Sequence, residues 1–333
     1  MDFHRWELVN PLFSLIFAHE KKPTDRICNM QKYRSFILPI AITIGLFFHH
    51  YIAFLTPAVP YLIFSILFFN FTALDFSKLK FSMMDVWLVL FQVVVSISCY
   101  ALISPLNEVI AQGVLIGVLC PVAAAVVVIS CMLGANRERI TTYTLVGNAM
   151  VAIVAPIYFS FIGTHVDMPF FTSLLLIFSK IFPIIVLPMI LAIITQKFMP
   201  KVNGFFVRYG FLSFYLWAMA LTVTIGQTID FIFLHGQGNT HIILWLSAAS
   251  LIACVIQFAF GKKVGKKYGD KIAGGQALGQ RNTALAIWMS YTYLDPLASI
   301  FPATYSIWQN LYNSYQLWQH DRTTKVEKLK NTN

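Results

Sequence analysis

The chain has 333 residues, of which 58% are hydrophobic and only 11% charged, against roughly 25% charged in an average soluble domain. That balance excludes an ordinary soluble globular protein and points to a polytopic membrane protein. The net charge of +10 suggests nucleic acid at first sight, but the placement of the basic residues removes that reading.

Residues 1–35 form an N-terminal arm. Within it Leu8 to Ala18 is apolar but interrupted by Asn10 and Pro11, which reads as an interfacial helix and not as a cleaved secretory signal. Apolar runs of about 20 residues, the length that crosses a bilayer, then predict ten transmembrane helices. They are Phe36–Tyr51, Phe54–Leu74, Val86–Ile103, Val109–Leu133, Thr141–Ile162, Phe170–Thr195, Tyr209–Leu234, Ile242–Phe260, Ile272–Leu294 and Leu297–Leu317. The tail, 320–333, is polar and is expected to be disordered. Of the 24 Lys and Arg residues, all but Lys180 and Arg281 fall in alternate connections on one side, and the opposite loops carry none. The positive-inside rule makes that side cytoplasmic. Both termini are then cytoplasmic, in a cell (inner) membrane, and topology explains the charge without nucleic acid.

No extramembrane stretch is long enough for a separate catalytic domain, so the work is done within the bilayer and transport is the leading class. No His with a nearby Asp and no DxxxD stands at an interface, so an integral membrane enzyme is not supported. The five cysteines form no CxxC or Cys/His cluster, which predicts no metal site, no disulfide framework and no cofactor. The histidines lie at span ends and in loops and no carboxylate sits mid-span, so proton coupling has no obvious carrier.

Arg281 is the exception inside the ninth span. A permanent cation at mid-membrane costs at least roughly 2.5–3.5 kcal/mol, and Arg281 lies about 13 Å from the cytoplasmic start of its span at 1.5 Å per residue. The alternative is snorkelling along its stem to the interface. Lys180 reads as snorkelling or interfacial, because Pro183 and Pro188 allow the real span to begin near Phe182. Asp230 reads as a solvated boundary residue.

Ten spans divide into two five-helix repeats, 36–163 and 170–319, and an odd number per half makes them inverted. The fourth span of each half carries helix breakers: Cys120-Pro121 in one, Gly274, Gly275 and Gly279 in the other. Such breaks free backbone groups that a polar cavity or a solute must satisfy. Prolines 57, 60, 156, 183 and 188 show that the packing alternative stays open.

The segment GQRNTALAIWMSYTYLDPLASIFPATYSIWQN, Gly279–Asn310, resembles the last two spans of the bile acid:sodium symporter family. CPVAAAVVVISCMLGANRERITTYTLVGNAMVAIVAP, Cys120–Pro156, is similar to its fourth and fifth spans, and the resemblance runs over nearly the whole chain. It implies two inverted five-helix repeats forming a panel and a core domain, with helices four and nine broken and crossing near mid-membrane, and sodium-coupled carriage of organic anions. The sodium ligands are largely missing here. The family's span-nine glutamate falls at Ala277 and its glutamine at Arg281, and the span-four Ser-Asn pair falls at Val126-Val127. Gln92, Thr144 and Asn148 remain.

A guanidinium has five donors and no acceptor, so it repels sodium where the family binds it. The expectation is a secondary transporter of a small organic anion, a carboxylate or sulfonate, working by alternating access with little or no sodium dependence. Arg281 would supply charge, its donors being met by carbonyls freed at the breaks, by Gln92 or Gln280, or by the solute. Asn282 and Thr283 would hydrogen-bond the solute, with Gln280, Gln92, Thr144, Asn148, Gln309 and Asn310 lining the core. The alternatives are a sodium-coupled symporter of an organic anion and a non-transporting ligand-binding receptor.

Overall fold

The computed structural model describes residue 40 and residues 43–330 apart from 75, 77–78, 124–125, 164–168 and 236–237. The chain divides into Met1–Ile40 and a unit spanning Ala41–Asn333. The N-terminal arm and most of the first expected span lie outside the described residues.

Among the described residues every regular element is helical, and the one β-type contact is an isolated bridge. A short helix α1 (His49–Ile52) runs through a 3-10 segment, Ala53–Ala58, into α2 (Val59–Thr72). Next come α3 (Met83–Ile103), α4 (Glu108–Leu119), α5 (Val126–Met132), α6 (Arg137–Ile162) and α7 (Phe170–Phe198). The remainder are α8 (Pro200–Arg208), α9 (Leu212–His235), α10 (Thr240–Lys267), α11 (Lys271–Gly279), α12 (Thr283–Tyr293) and α13 (Ile300–Lys330).

Local chemistry sets many of these ends. Ser82 and Asp85 form a capping box at the start of α3, and Asn107, Asn136, Asp270 and Asn282 each accept a backbone N–H at the start of α4, α6, α11 and α12. These side chains satisfy donors that every helix N-terminus leaves open. Gly269, at φ 82°, turns the chain between α10 and α11, a left-handed conformation that glycine adopts without a Cβ penalty.

Among the described residues, five stretches are long and apolar enough to cross a membrane: His49–Thr72, α3, α6, α7 and α10. The fourth and ninth expected spans each divide into two half-helices, α4 with α5 and α11 with α12, too short to cross alone. Cys120 is extended before Pro121 (φ −42°, ψ 143°), as a residue preceding proline prefers, and α4 stops there. Pro156, Pro183 and Pro188, by contrast, lie within continuous helices.

Close packing holds the elements together, as it must where lipid leaves little hydrophobic drive between helices. On α10, Gly261 and Gly265 meet Gly274 of α11 backbone to backbone; a Cβ on Gly261 would stand 2.3 Å from the Gly274 carbonyl. On α4, Gly113 and Gly117 receive Leu246 and Phe301. Large apolar side chains such as Leu106, Tyr61 and Trp245 remain exposed, which suits a lipid-facing surface and not an aqueous one.

Two expectations need correction. As far as it is described, the tail is helical and not disordered: α13 continues to Lys330, and no glycine or proline after Pro302 interrupts it. Asp230 is not simply solvated: its side chain is 16% exposed and meets His49 Nδ1 at 2.8 Å, joining α9 to α1. The stretch before Phe182 belongs to the continuous helix α7, which carries Lys180 on an exposed face.

Candidate functional site

The two broken helices meet at their breaks. Val122 and Arg281 form an antiparallel bridge, flanked by Asn282 N–H donating to the Pro121 carbonyl at 2.8 Å and Ala123 N–H donating to the Gln280 carbonyl at 3.1 Å. Backbone groups freed by one interruption are therefore satisfied by the other. The Cys120 thiol also donates to the Asn282 carbonyl at 3.0 Å. The breaks act as one crossing, the arrangement that lets non-helical backbone persist away from water.

Arg281 stands at the centre of this crossing and is 1% exposed. Its guanidinium does not snorkel. Nε donates to Gln257 Oε1 at 2.8 Å and Nη1 to the Cys120 carbonyl at 3.0 Å. The latter lies just past the C-terminal end of α4, where the helix carries partial negative charge. Hydrogen bonds to a charged group are worth roughly 1.5–3 kcal/mol each, which together offset much of what burying the cation costs. Gln309, from α13, grips the Arg281 backbone from both sides: Oε1 accepts its N–H at 2.8 Å and Nε2 donates to its carbonyl at 3.1 Å.

A second layer fixes the acceptors. Gln92 Nε2 donates to the Leu119 carbonyl and to the Cys120 carbonyl, the latter at 2.8 Å. Tyr143 donates its hydroxyl hydrogen to Gln92 Oε1 at 3.0 Å and faces the guanidinium. Asn148 Oδ1 accepts the Val122 N–H at 3.0 Å. The Tyr305 hydroxyl, from α13, caps the Gly279 carbonyl at 2.8 Å. These partners decide the amide orientations. A guanidinium can only donate, so Gln257 presents its oxygen to Nε and its nitrogen elsewhere.

The predicted residues divide accordingly. Arg281, Asn282, Gln92, Asn148 and Gln309 are brought together at the crossing, and Thr283 opens α12 there with its N–H on the Arg281 carbonyl at 3.0 Å. Gln280 contributes its backbone carbonyl, while its side chain turns to Gln276, which donates in turn to Asn313 at 3.2 Å. Thr144 and Asn310 spend their side-chain donors on their own helices, at the Ile140 and Ser306 carbonyls, 2.7 Å each. The expectation that a freed carbonyl would meet Arg281 holds for Cys120, whereas neither Gln92 nor Gln280 is a direct partner. That part falls to Gln257.

Gln257 and Tyr143 escaped the sequence reading. Gln257 was visible as the lone amide in the run Leu251–Phe260, a polar position deep in a span of the kind that calls for a partner. Among the described residues no group of His, Cys, Asp or Glu could hold a metal ion. A surface cleft lined by Lys80, Phe81, Ser82, Asn136, Glu138 and Arg139 lies at the starts of α3 and α6, apart from the crossing.

No family model matches the chain, and no curated protein matches it.

Proposed function

We propose that this protein is a secondary transporter of a small organic anion, a carboxylate or sulfonate, in which Arg281 takes the electrostatic place of a bound sodium ion. The observation that carries the reading is the guanidinium, 1% exposed, at the antiparallel crossing of two interrupted helices. Interruptions of this kind mark binding sites in carriers built on broken helices. The resemblance of Cys120–Pro156 and Gly279–Asn310 to the bile acid:sodium symporter family places the family's cation ligands at Ala277, Arg281 and Val126-Val127. Three of these four residues are apolar and the fourth is cationic, a set that no alkali cation would choose.

On this reading both termini are cytoplasmic and ten spans form two inverted repeats. Alternating access arises when the bundle of α1, α2, α7 and α9 rocks against the one containing the crossing. The solute's anionic group is drawn by Arg281, and the start of α12, with Asn282 and Thr283, supplies further donors when rocking opens the crossing. Reconstitution into proteoliposomes with a panel of labelled carboxylates and sulfonates tests it. Saturable uptake that falls at least about tenfold in Arg281→Gln, the size expected for losing roughly 1.4 kcal/mol of ion–solute attraction, is the expected result. Equilibrium binding without uptake would favour a receptor and defeat the proposal.

A further inference from the structure

The turn between α7 and α9 is shaped by a proline and loaded with positive charge. At 29 residues, α7 is about 43 Å long at 1.5 Å per residue, more than the roughly 30 Å of a bilayer's hydrocarbon core, so its ends reach the headgroup layers. Met199 (φ −133°, ψ 60°) ends it, kept out of the helical region by the proline that follows. Pro200 then opens α8, a position where proline loses no hydrogen bond. With nine residues, α8 is too short to cross a membrane.

The helix is two-sided. Val202, Phe205 and Phe206, three and four residues apart, share one side. Phe206 turns inward onto the rings of Phe68 and Phe69 of α2, at centroid distances of 4.8 and 5.6 Å, whereas Phe205 stays 57% exposed. Lys201 and Arg208, two turns apart, flank that side and are exposed, as is Lys197 at the end of α7. Gly204 lies between Lys201 and Arg208 in sequence and on the helix surface, and a Cβ there would meet nothing within 4 Å among the described residues. The ground between the two cations is therefore open. No acidic residue occurs between Asp167 and Asp230, so the segment holds no negative charge to neutralise them.

We infer that α8 lies in the headgroup layer and binds an anionic phospholipid, with the Phe205 ring in the acyl region and Lys197, Lys201 and Arg208 on the lipid phosphate. The charge distribution sets this turn on the cytoplasmic side, where the leaflet carries the anionic lipids. A free phosphate would take the cations and leave Phe205 in water, and an apolar partner would bury Phe205 and leave the cations bare. A lipid satisfies both halves, as basic amphipathic helices at interfaces do. The binding is independent of transport and of the crossing.

Native mass spectrometry of the purified full-length protein in neutral detergent, titrated with dioleoylphosphatidylglycerol or dioleoylphosphatidylcholine, tests it. Wild type is expected to hold phosphatidylglycerol at least about tenfold more tightly, from a gain of about fivefold per basic residue. Lys197→Gln/Lys201→Gln/Arg208→Gln should lose that preference, and the charge-matched Lys263→Gln/Lys266→Gln/Lys267→Gln, on α10, should keep it. Phe205→Ser should weaken both lipids about fivefold and leave their ratio unchanged. Every altered side chain is exposed, so these variants keep the fold, which melting curves check. No preference in wild type, or an equal loss in the two triple variants, overturns the inference. So does glycerol phosphate displacing the lipid at equal concentration, which would assign the cations to a free phosphate. A wild-type dimer that Phe205→Ser dissociates would assign the face to a second copy and overturn it as well.

Discussion

Replacing Gln257 with leucine removes the side-chain oxygen that accepts from the Arg281 guanidinium at 2.8 Å from Nε. Both residues are 1% exposed, so no water reaches the vacated place. The loss combines a charge-assisted hydrogen bond, about 1.5–3 kcal/mol, with the burden of a buried cation stripped of a partner, for a total of about 3–5 kcal/mol. In a protein of this size that lowers the melting temperature by on the order of 10 °C, readable by thermal unfolding in detergent. The double variant Gln257→Leu/Arg281→Met removes donor and acceptor together, and the Cys120 carbonyl keeps Gln92 at 2.8 Å. It should lie within about 2 kcal/mol of wild type, because taking away both members of a buried polar pair can be nearly neutral. A single variant within about 0.5 kcal/mol of wild type, or strictly additive costs in the double-mutant cycle, would refute the claim that the amide holds the guanidinium in place.

Gly261→Ala puts a Cβ 2.3 Å from the Gly274 carbonyl, forcing α10 and α11 apart at a cost of about 1–3 kcal/mol. Gly204→Ala in α8, where a Cβ meets nothing within 4 Å, should be neutral or stabilising by up to about 1 kcal/mol, and paired melting curves check both. Gln309→Leu leaves the Arg281 N–H and carbonyl without their partners at 2.8 and 3.1 Å. It should destabilise by about 2–4 kcal/mol, with each buried unpaired group contributing roughly 1–3. Gln309→Ala costing no more than Asn310→Ala, whose amide serves only its own helix at 2.7 Å, would contradict the clamp.

Features announced by a single local signal were legible in the sequence. A proline after Cys120 stops a helix wherever it falls in such a run, and an arginine within an apolar segment demands compensation, so the break and the buried cation could be read directly. The partner of that cation could not. Gln257 lies 24 residues earlier on a different helix, and only the turn at Gly269 with the Gly261–Gly274 contact brings α10 alongside α11. Side-chain direction was equally hidden. Thr144 and Asn148 lie one helical turn apart, yet Thr144 bonds back to Ile140 while Asn148 reaches across to Val122. Local i−4 bonding competes with tertiary partners, and spacing alone does not say which wins. The tail misled because its polarity argued against a packed core, whereas an uninterrupted run of residues without glycine or proline was enough to extend α13.

The central claim is that a covalently attached charge stands where relatives of the resembled family would bind a metal ion. Initial-rate uptake of a labelled carboxylate by proteoliposomes, with sodium fully replaced by choline, tests it most directly. Rates in choline within about twofold of those in sodium, less than a kilocalorie of coupling, are predicted. Uptake that collapses in choline and returns with millimolar sodium would contradict it.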